Sequence, residues 1–341
     1  MTTAEREVRD SGRRERGRRR GTAAAVPSPT KETHVHPDLF LTDAGLETEL
    51  LFLDGRELPY FASFPLLDDP EGRSRLLSYY RPFVALADGL GVGAALETPT
   101  WRASADWGAR LGFDAADLAR LNADAVALVR EAVAEAAPAV PVVVSGNLGP
   151  RGDGYVAGDR MTVEEATAYH APQVAALADA GADRVAVLTM TYVEEAVGVV
   201  RAAAAAGAPV LVSFTVETDG LLPSGQPLAE AVAEVDRLTD GHPETYGLNC
   251  AHPDHVHDAL AGLGDVSGRV TAFRPNASRM SHAELDEATE LDDGDPLELG
   301  AQLADLRRRH PHLTTFGGCC GTDLRHVRAA GHALSAAVVG V

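Results

Sequence analysis

The sequence predicts an α/β protein, a single (β/α)8 barrel with its active site at the C-terminal ends of the strands. Three observations carry that expectation. From about residue 38, short β-rich runs alternate with helical patterns, eight times over. Several runs are apolar without polar alternation, as strands buried on both faces should be. Eight strand–helix units in about 300 residues match the usual size of such a barrel. The alternative, a doubly wound open sheet, would carry a nucleotide loop after its first strand. LTDAGLETEL there is no G-x-G-x-x-G.

The strand candidates, in order, begin with DLFLTD (38–43), GVGAALET (91–98), VPVVVSG (140–146) and DRVAVLT (183–189). APVLVSFTV (208–216), TYGLNC (245–250), GRVTAFR (268–274) and LTTFGG (313–318) complete the set. Between them lie helical signals. FDAADLARLNADAVALVREAVAEAA repeats Leu118, Leu121, Ala125, Leu128, Val129 and Val133 along one helix face. MTVEEATAYHAPQVAALADAG opens with Thr162 and Glu165 as a capping box and closes at Gly181. DPLELGAQLADLRRRH sets Asp295 as cap and Pro296 in the first turn, and ends in Arg307 to Arg309 at the negative pole of the helix.

Composition excludes several classes. No apolar run is long enough to span a membrane, and AAAV near the start is too short for the core of an export signal. A cytoplasmic protein is expected. The net charge is −20, although the first twenty residues hold eight Arg against four acids. The folded body is therefore strongly acidic, which disfavours nucleic acid and anionic membranes as partners. Residues 1–37 read as a disordered Arg-rich extension, and 38–341 as the barrel. Three cysteines in 341 residues make no disulfide framework.

Polar residues gather at the predicted strand ends. The candidates there are Asp43, Glu97, Thr98, Asn147, Thr189, Glu217, Asn249, Cys250, Arg274 to Asn276, Cys319 and Cys320. All three cysteines are among them, after strands six and eight. Three thiolates converging on a barrel mouth would make a Zn²⁺ site with one open position, the arrangement of a catalytic rather than a structural zinc. Gly317 and Gly318 would let both adjacent cysteines turn toward one metal. Three other readings of the same residues stay open: small core hydrophobes, a strained vicinal disulfide, or a cysteine nucleophile served by His252 or His255. GNLGPRGDGY lacks the Lys-Ser/Thr of a P-loop and reads as a rim loop. The remaining histidines are too scattered for a second metal site.

GLNCAHPDH and FGGCCGT together resemble the homocysteine S-methyltransferase family, and with it the homocysteine-binding modules of methionine synthase and betaine–homocysteine methyltransferase. LTDAGLETEL is similar to the family's first-strand D-G-G-x-x-T-E-L, and ETPTWRAS to its E-T-x-T-Y/W. GNLGPRGDGY is similar to the G-x-x-G-P segment, and RPNAS to the P-N segment of strand seven. The resemblance spans about residues 38 to 341. It implies Zn²⁺ on Cys250, Cys319 and Cys320, no further cofactor, and a small thiol acceptor whose sulfur takes a methyl group from a small donor. It also implies that Asp43 holds the substrate ammonium, that Glu97 and Thr98 stand near the substrate backbone, and that Asn249 supports Cys250 or the substrate. Trp101 and Trp107 have two readings, a donor-side wall attracting a cationic methyl donor or plain packing.

Two positions depart from the family pattern. Ala44 replaces the first glycine of D-G-G. Leu188 stands where homocysteine-binding members carry Glu before Thr189; Glu194 or Glu217 would have to replace it. The expected reaction is methylation of homocysteine to methionine, with S-methylmethionine or S-adenosylmethionine as donor. The sequence carries no folate or cobalamin module, so the donor should be small and diffusible. Methyl transfer to another thiol or selenol is the first alternative, and a non-catalytic zinc-binding barrel the second.

Overall fold

The computed structural model describes residues 36–339. The predicted Arg-rich extension lies outside the described residues, apart from His36 and Pro37, which begin the first strand.

Eight parallel strands close into a barrel in sequence order, the eighth pairing back on the first. The strands are β1 (His36–Thr42), β2 (Val92–Glu97), β3 (Val142–Leu148) and β4 (Arg184–Met190). They continue as β5 (Val210–Phe214), β6 (Thr245–Asn249), β7 (Val270–Arg274) and β8 (Thr315–Phe316). The outer helices, one after each strand, are α1 (Pro70–Leu90), α2 (Ala115–Ala136), α3 (Val163–Asp179) and α4 (Val193–Ala206). α5 (Leu228–Leu238), α6 (Pro253–Ala261), α7 (Pro296–Arg309) and α8 (Leu324–Val339) complete the ring. None of the helices among the described residues is long and apolar enough to cross a membrane.

The helix starts follow the sequence signals. Thr162 Oγ1 accepts from Glu165 N and Glu165 Oε2 accepts from Thr162 N, closing the capping box of α3. Asp295 accepts from Leu297 N and Glu298 N ahead of Pro296 in α7. α2 begins with a second capping box, Asp114 with Asp117, which the sequence reading did not single out.

β4 shows how the core is divided. Val185 and Val187 join the large core between barrel and helices, whereas Ala186 and Leu188 pack with Leu211 and Ala272 in a small separate cluster. Alternate residues thus face opposite sides of the strand. β3 runs on to Leu148, so Asn147 belongs to the strand rather than to the loop after it. β8 is only two residues long. Gly317 and Gly318 follow it, and close approach explains both: a Cβ on Gly317 would lie 1.7 Å from Thr42 Oγ1, and one on Gly318 would lie 2.0 Å from Thr322 Oγ1. Neither glycine has the left-handed backbone that tight turning would demand.

Candidate active site and metal centre

A cavity of about 420 Å³ opens at the C-terminal ends of the strands. Asp43, Glu97, Thr98, Asn249, Cys250, Cys319 and Cys320 all line it, as do Asn147, Thr189 and Arg274, whereas Glu217 does not. The three cysteine sulfurs lie within 4.8 Å of one another. Backbone hydrogen bonds fix their loops. Cys250 N donates to Arg274 O at 3.1 Å, Cys319 N to Pro275 O at 2.8 Å, and Gly318 N to Asp43 O at 3.1 Å.

Each sulfur faces one side-chain donor. Thr189 Oγ1 reaches Cys250 Sγ at 4.0 Å, Asn249 Nδ2 reaches Cys319 Sγ at 3.8 Å, and the Tyr155 hydroxyl reaches Cys320 Sγ at 3.6 Å. Donors on every sulfur suit thiolates, which accept and do not donate. Desolvation in the cavity pushes the free Cys320 thiol up to about 11, with the Tyr155 hydroxyl pulling the other way. A bound metal would have to displace that proton. The sulfurs of Cys250 and Cys319 are paired with each other, their Cα atoms 5.5 Å apart, leaving Cys320 as the free thiol. A metal needs all three as thiolates, so loading requires the pair to be reduced. In donor type, number and convergence, the residues fit a thiolate-bound metal ion.

Thr189 and Cys250 are non-glycine residues with left-handed backbones, φ 65° and 56°. Such conformations persist where the surroundings over-determine them. Asn249 does this for Thr189: its Oδ1 accepts from Thr189 N at 2.8 Å and its Nδ2 donates to Thr189 Oγ1 at 2.8 Å. The Cys250 carbonyl is held by Asn276 Nδ2 at 3.1 Å and His282 Nε2 at 2.8 Å. His282 in turn meets Glu217 Oε1 at 2.8 Å, and the Tyr155 ring stacks on it at 4.1 Å between centroids.

Asp43 is buried with both carboxylate oxygens engaged. Oδ1 accepts from Arg274 Nη2 at 2.5 Å and Oδ2 from Glu97 N at 2.9 Å. Thr98 ties β2 to β3, its hydroxyl bonded to Thr100 Oγ1 at 2.7 Å and to Asn147 N at 2.9 Å. Glu97 is buried, and burial raises its carboxyl to about 7 against the opposing pull of Arg274.

Over residues 40–334 the chain matches the model of the homocysteine S-methyltransferases. The chain belongs to the homocysteine S-methyltransferase family. It is 30% identical over 310 residues to the homocysteine S-methyltransferase of Escherichia coli K12, covering 86% of this chain and 94% of that one. Among solved structures it is similar to the E. coli homocysteine methyltransferase MmuM. The oxidised form superposes with a TM-score of 0.69 at 27% identity, over 86% of this chain and 95% of that one. The metallated form gives 0.67 at 27% identity, over 87% and 96%. As a family member the chain is a methyltransferase.

Three features of this homocysteine S-methyltransferase site stand out. Leu188 lines the cavity and packs near Trp101, giving β4 an apolar wall. Neither carboxylate expected from the sequence to stand in at this position lines the cavity: Glu194 is exposed on α4, and Glu217 is bound to His282. The tryptophan wall also differs from expectation. Arg102 lies between Trp101 and Trp107, 4.0 Å from each ring centroid, and Arg110 covers Trp107 as well. Trp101 lines the cavity and Trp107 does not, and the protein's own Arg102 covers a face of each ring.

Tyr155, His282 and the bridging role of Arg274 escaped the sequence reading. Tyr155 lies in the rim loop, and the only available signal was an aromatic residue ending GNLGPRGDGY. Arg102 Nη1 donates to Gly152 O at 2.7 Å and Asp153 Oδ1 accepts from Tyr155 N at 2.7 Å, which aims that loop at Cys320.

Proposed function

We propose that this chain is a zinc-dependent S-methyltransferase that moves a methyl group from S-methylmethionine or S-adenosylmethionine to the thiol of homocysteine, giving methionine. The convergence of Cys250, Cys319 and Cys320 at the floor of one cavity carries this reading. Zinc held by these three would act as a Lewis acid that lowers the pKa of an acceptor thiol in its open fourth position. Thr189, Asn249 and Tyr155 steady the three sulfurs and spread their charge. Glu97 supplies negative charge for the acceptor's ammonium, Asp43 fixes Arg274 and the Glu97 backbone in place, and Thr98 keeps the ends of β2 and β3 in register. The thiol proton leaves to solvent. The acceptor sulfur's electron pair then forms the new S–CH₃ bond as the methyl–sulfonium bond breaks, and the donor departs as a neutral thioether. No covalent enzyme intermediate is needed, so the protein's task is alignment.

Leu188 favours a second reading, the same chemistry on another thiol or a selenol. One experiment separates the two. Reduced, zinc-loaded protein is incubated with homocysteine and each donor in turn, and products are read by mass spectrometry. Methionine that disappears in Cys320→Ala supports the first reading. A metal-replete enzyme that leaves homocysteine untouched but methylates another thiol or a selenol contradicts it and supports the second.

A further inference from the structure

The floor of the cavity holds a buried cation whose hydrogen bonds are incomplete. Arg274, at the end of β7, is only 7% exposed. Its Nε donates to Gly318 O at 3.0 Å and its Nη2 to Asp43 Oδ1 at 2.5 Å. Nη1 forms an ion pair with Glu97 Oε1 at 3.7 Å, beyond hydrogen-bond reach, and has no hydrogen-bond partner among the described residues. Among the described residues two acceptors on neighbouring strands also lack a hydrogen bond at one oxygen, Glu97 Oε2 and Asn147 Oδ1, on residues 5% and 9% exposed, although Arg274, Arg184 and Ser145 all act on the Glu97 carboxylate. All three residues line the cavity. Buried polar groups seldom stay unpaired, because each costs the hydration it has lost.

These groups line one cavity: a guanidinium nitrogen without a hydrogen bond, ion-paired to the Glu97 carboxylate at 3.7 Å, and two acceptors without one, a carboxylate oxygen and an amide oxygen. Its complement is a zwitterion, in which a carboxylate accepts from the guanidinium and an ammonium donates to the acceptors. Asp43 cannot serve alone as the ammonium site, since Arg274 already offsets its charge. Leu188 offers nothing polar from β4.

We propose that Arg274 determines acceptor specificity by binding the acceptor's carboxylate through Nη1, while Glu97 and Asn147 receive its ammonium. The inference rests on the methyltransferase reading above and adds to it how the amino-acid end is recognised. A thiol lacking the carboxylate would leave Arg274 Nη1 unpaired, and sites built around buried polar groups reject such analogues strongly.

Binding tests this independently of turnover. Calorimetry on the reduced, zinc-loaded protein compares L-homocysteine with 3-aminopropane-1-thiol, which lacks the carboxylate, and 4-mercaptobutanoate, which lacks the ammonium. Each deletion should weaken binding roughly 10- to 100-fold, the loss of one charge-assisted hydrogen bond. Arg274→Lys keeps a charge beside Asp43 but loses the fork. It should weaken homocysteine by a similar factor and leave 3-aminopropane-1-thiol almost unchanged. A merely structural arginine would weaken both alike. Equal binding of homocysteine and 3-aminopropane-1-thiol by the wild type overturns the proposal, and that comparison stands even if the variant does not fold. Homocysteine that binds with the carboxylate penalty but is never methylated would overturn the functional reading and support this one.

Discussion

The Tyr155 hydroxyl donates to the Cys320 sulfur at 3.6 Å, across 165 residues of chain. It joins the loop after β3 to the loop after β8 at the proposed metal. Outer partners of metal ligands commonly tune affinity by about 10- to 100-fold. Tyr155→Phe keeps the ring that stacks on His282 and removes only the donor. Zinc affinity, measured by chelator competition, should fall roughly tenfold while the fold is retained. Unchanged affinity would mean that the contact plays no part in metal binding.

Asn249 joins three strands and one ligand. Besides Thr189 and Cys319 it accepts from Ser213 Oγ at 2.7 Å. Asn249→Ala leaves several buried groups unpaired and releases Thr189 from its left-handed backbone. Urea unfolding of the reduced protein should show a loss of about 2–4 kcal/mol. A loss below about 0.5 kcal/mol, typical of surface changes, would contradict the role given to this side chain.

Gly317 must lack a side chain because β1 presses against it. In Gly317→Ala the new Cβ meets Thr42 Oγ1 and the Asp43 carbonyl, 2.8 Å away. The end of β1 or the Cys319 loop must then move, at a cost of about 1–3 kcal/mol. Metal stoichiometry, measured by elemental analysis, should fall along with the melting temperature. Full stoichiometry with native stability would show that the loop can yield.

Burial raises the Glu97 carboxyl to about 7 from 4.5. A raised folded-state pKa means that the ligand-free fold binds this proton more tightly than the unfolded chain. The resulting stability is present below 4.5 and is lost as pH rises through 7. The melting temperature of wild type minus that of Glu97→Gln should therefore decline over that interval. Acceptor binding should run the other way and strengthen up to about pH 7, since an ammonium needs the ionised carboxylate. A difference that is flat across this range would contradict the assignment.

Local signals accounted for most of the fold. Continuous apolar runs such as VPVVVSG can be buried on both faces only in a covered parallel sheet, and capping residues such as Thr162 and Asp295 act within their own helices. The cysteines were legible because three sulfurs at the ends of β6 and β8 have few ways to be used together. Long-range pairings were not. The bond of Arg274 to Asp43 spans 231 residues, and nothing near either residue announces it. The insertion of Arg102 between Trp101 and Trp107 depends on how one loop folds back, which cation–π reasoning from the two indoles alone could not foresee. Glycine spacing likewise suggested a tight turn at Gly317, where the actual constraint is contact with another strand.

The most direct measurement is a zinc titration of the reduced, metal-free protein, with methionine formed from homocysteine and S-methylmethionine, and in parallel from homocysteine and S-adenosylmethionine, followed at each addition. With at least one donor, turnover should be absent without zinc, rise in proportion to bound metal, and level off at one zinc per chain. Turnover that persists without metal, or zinc that binds fully in Cys320→Ala, would contradict the three-cysteine centre.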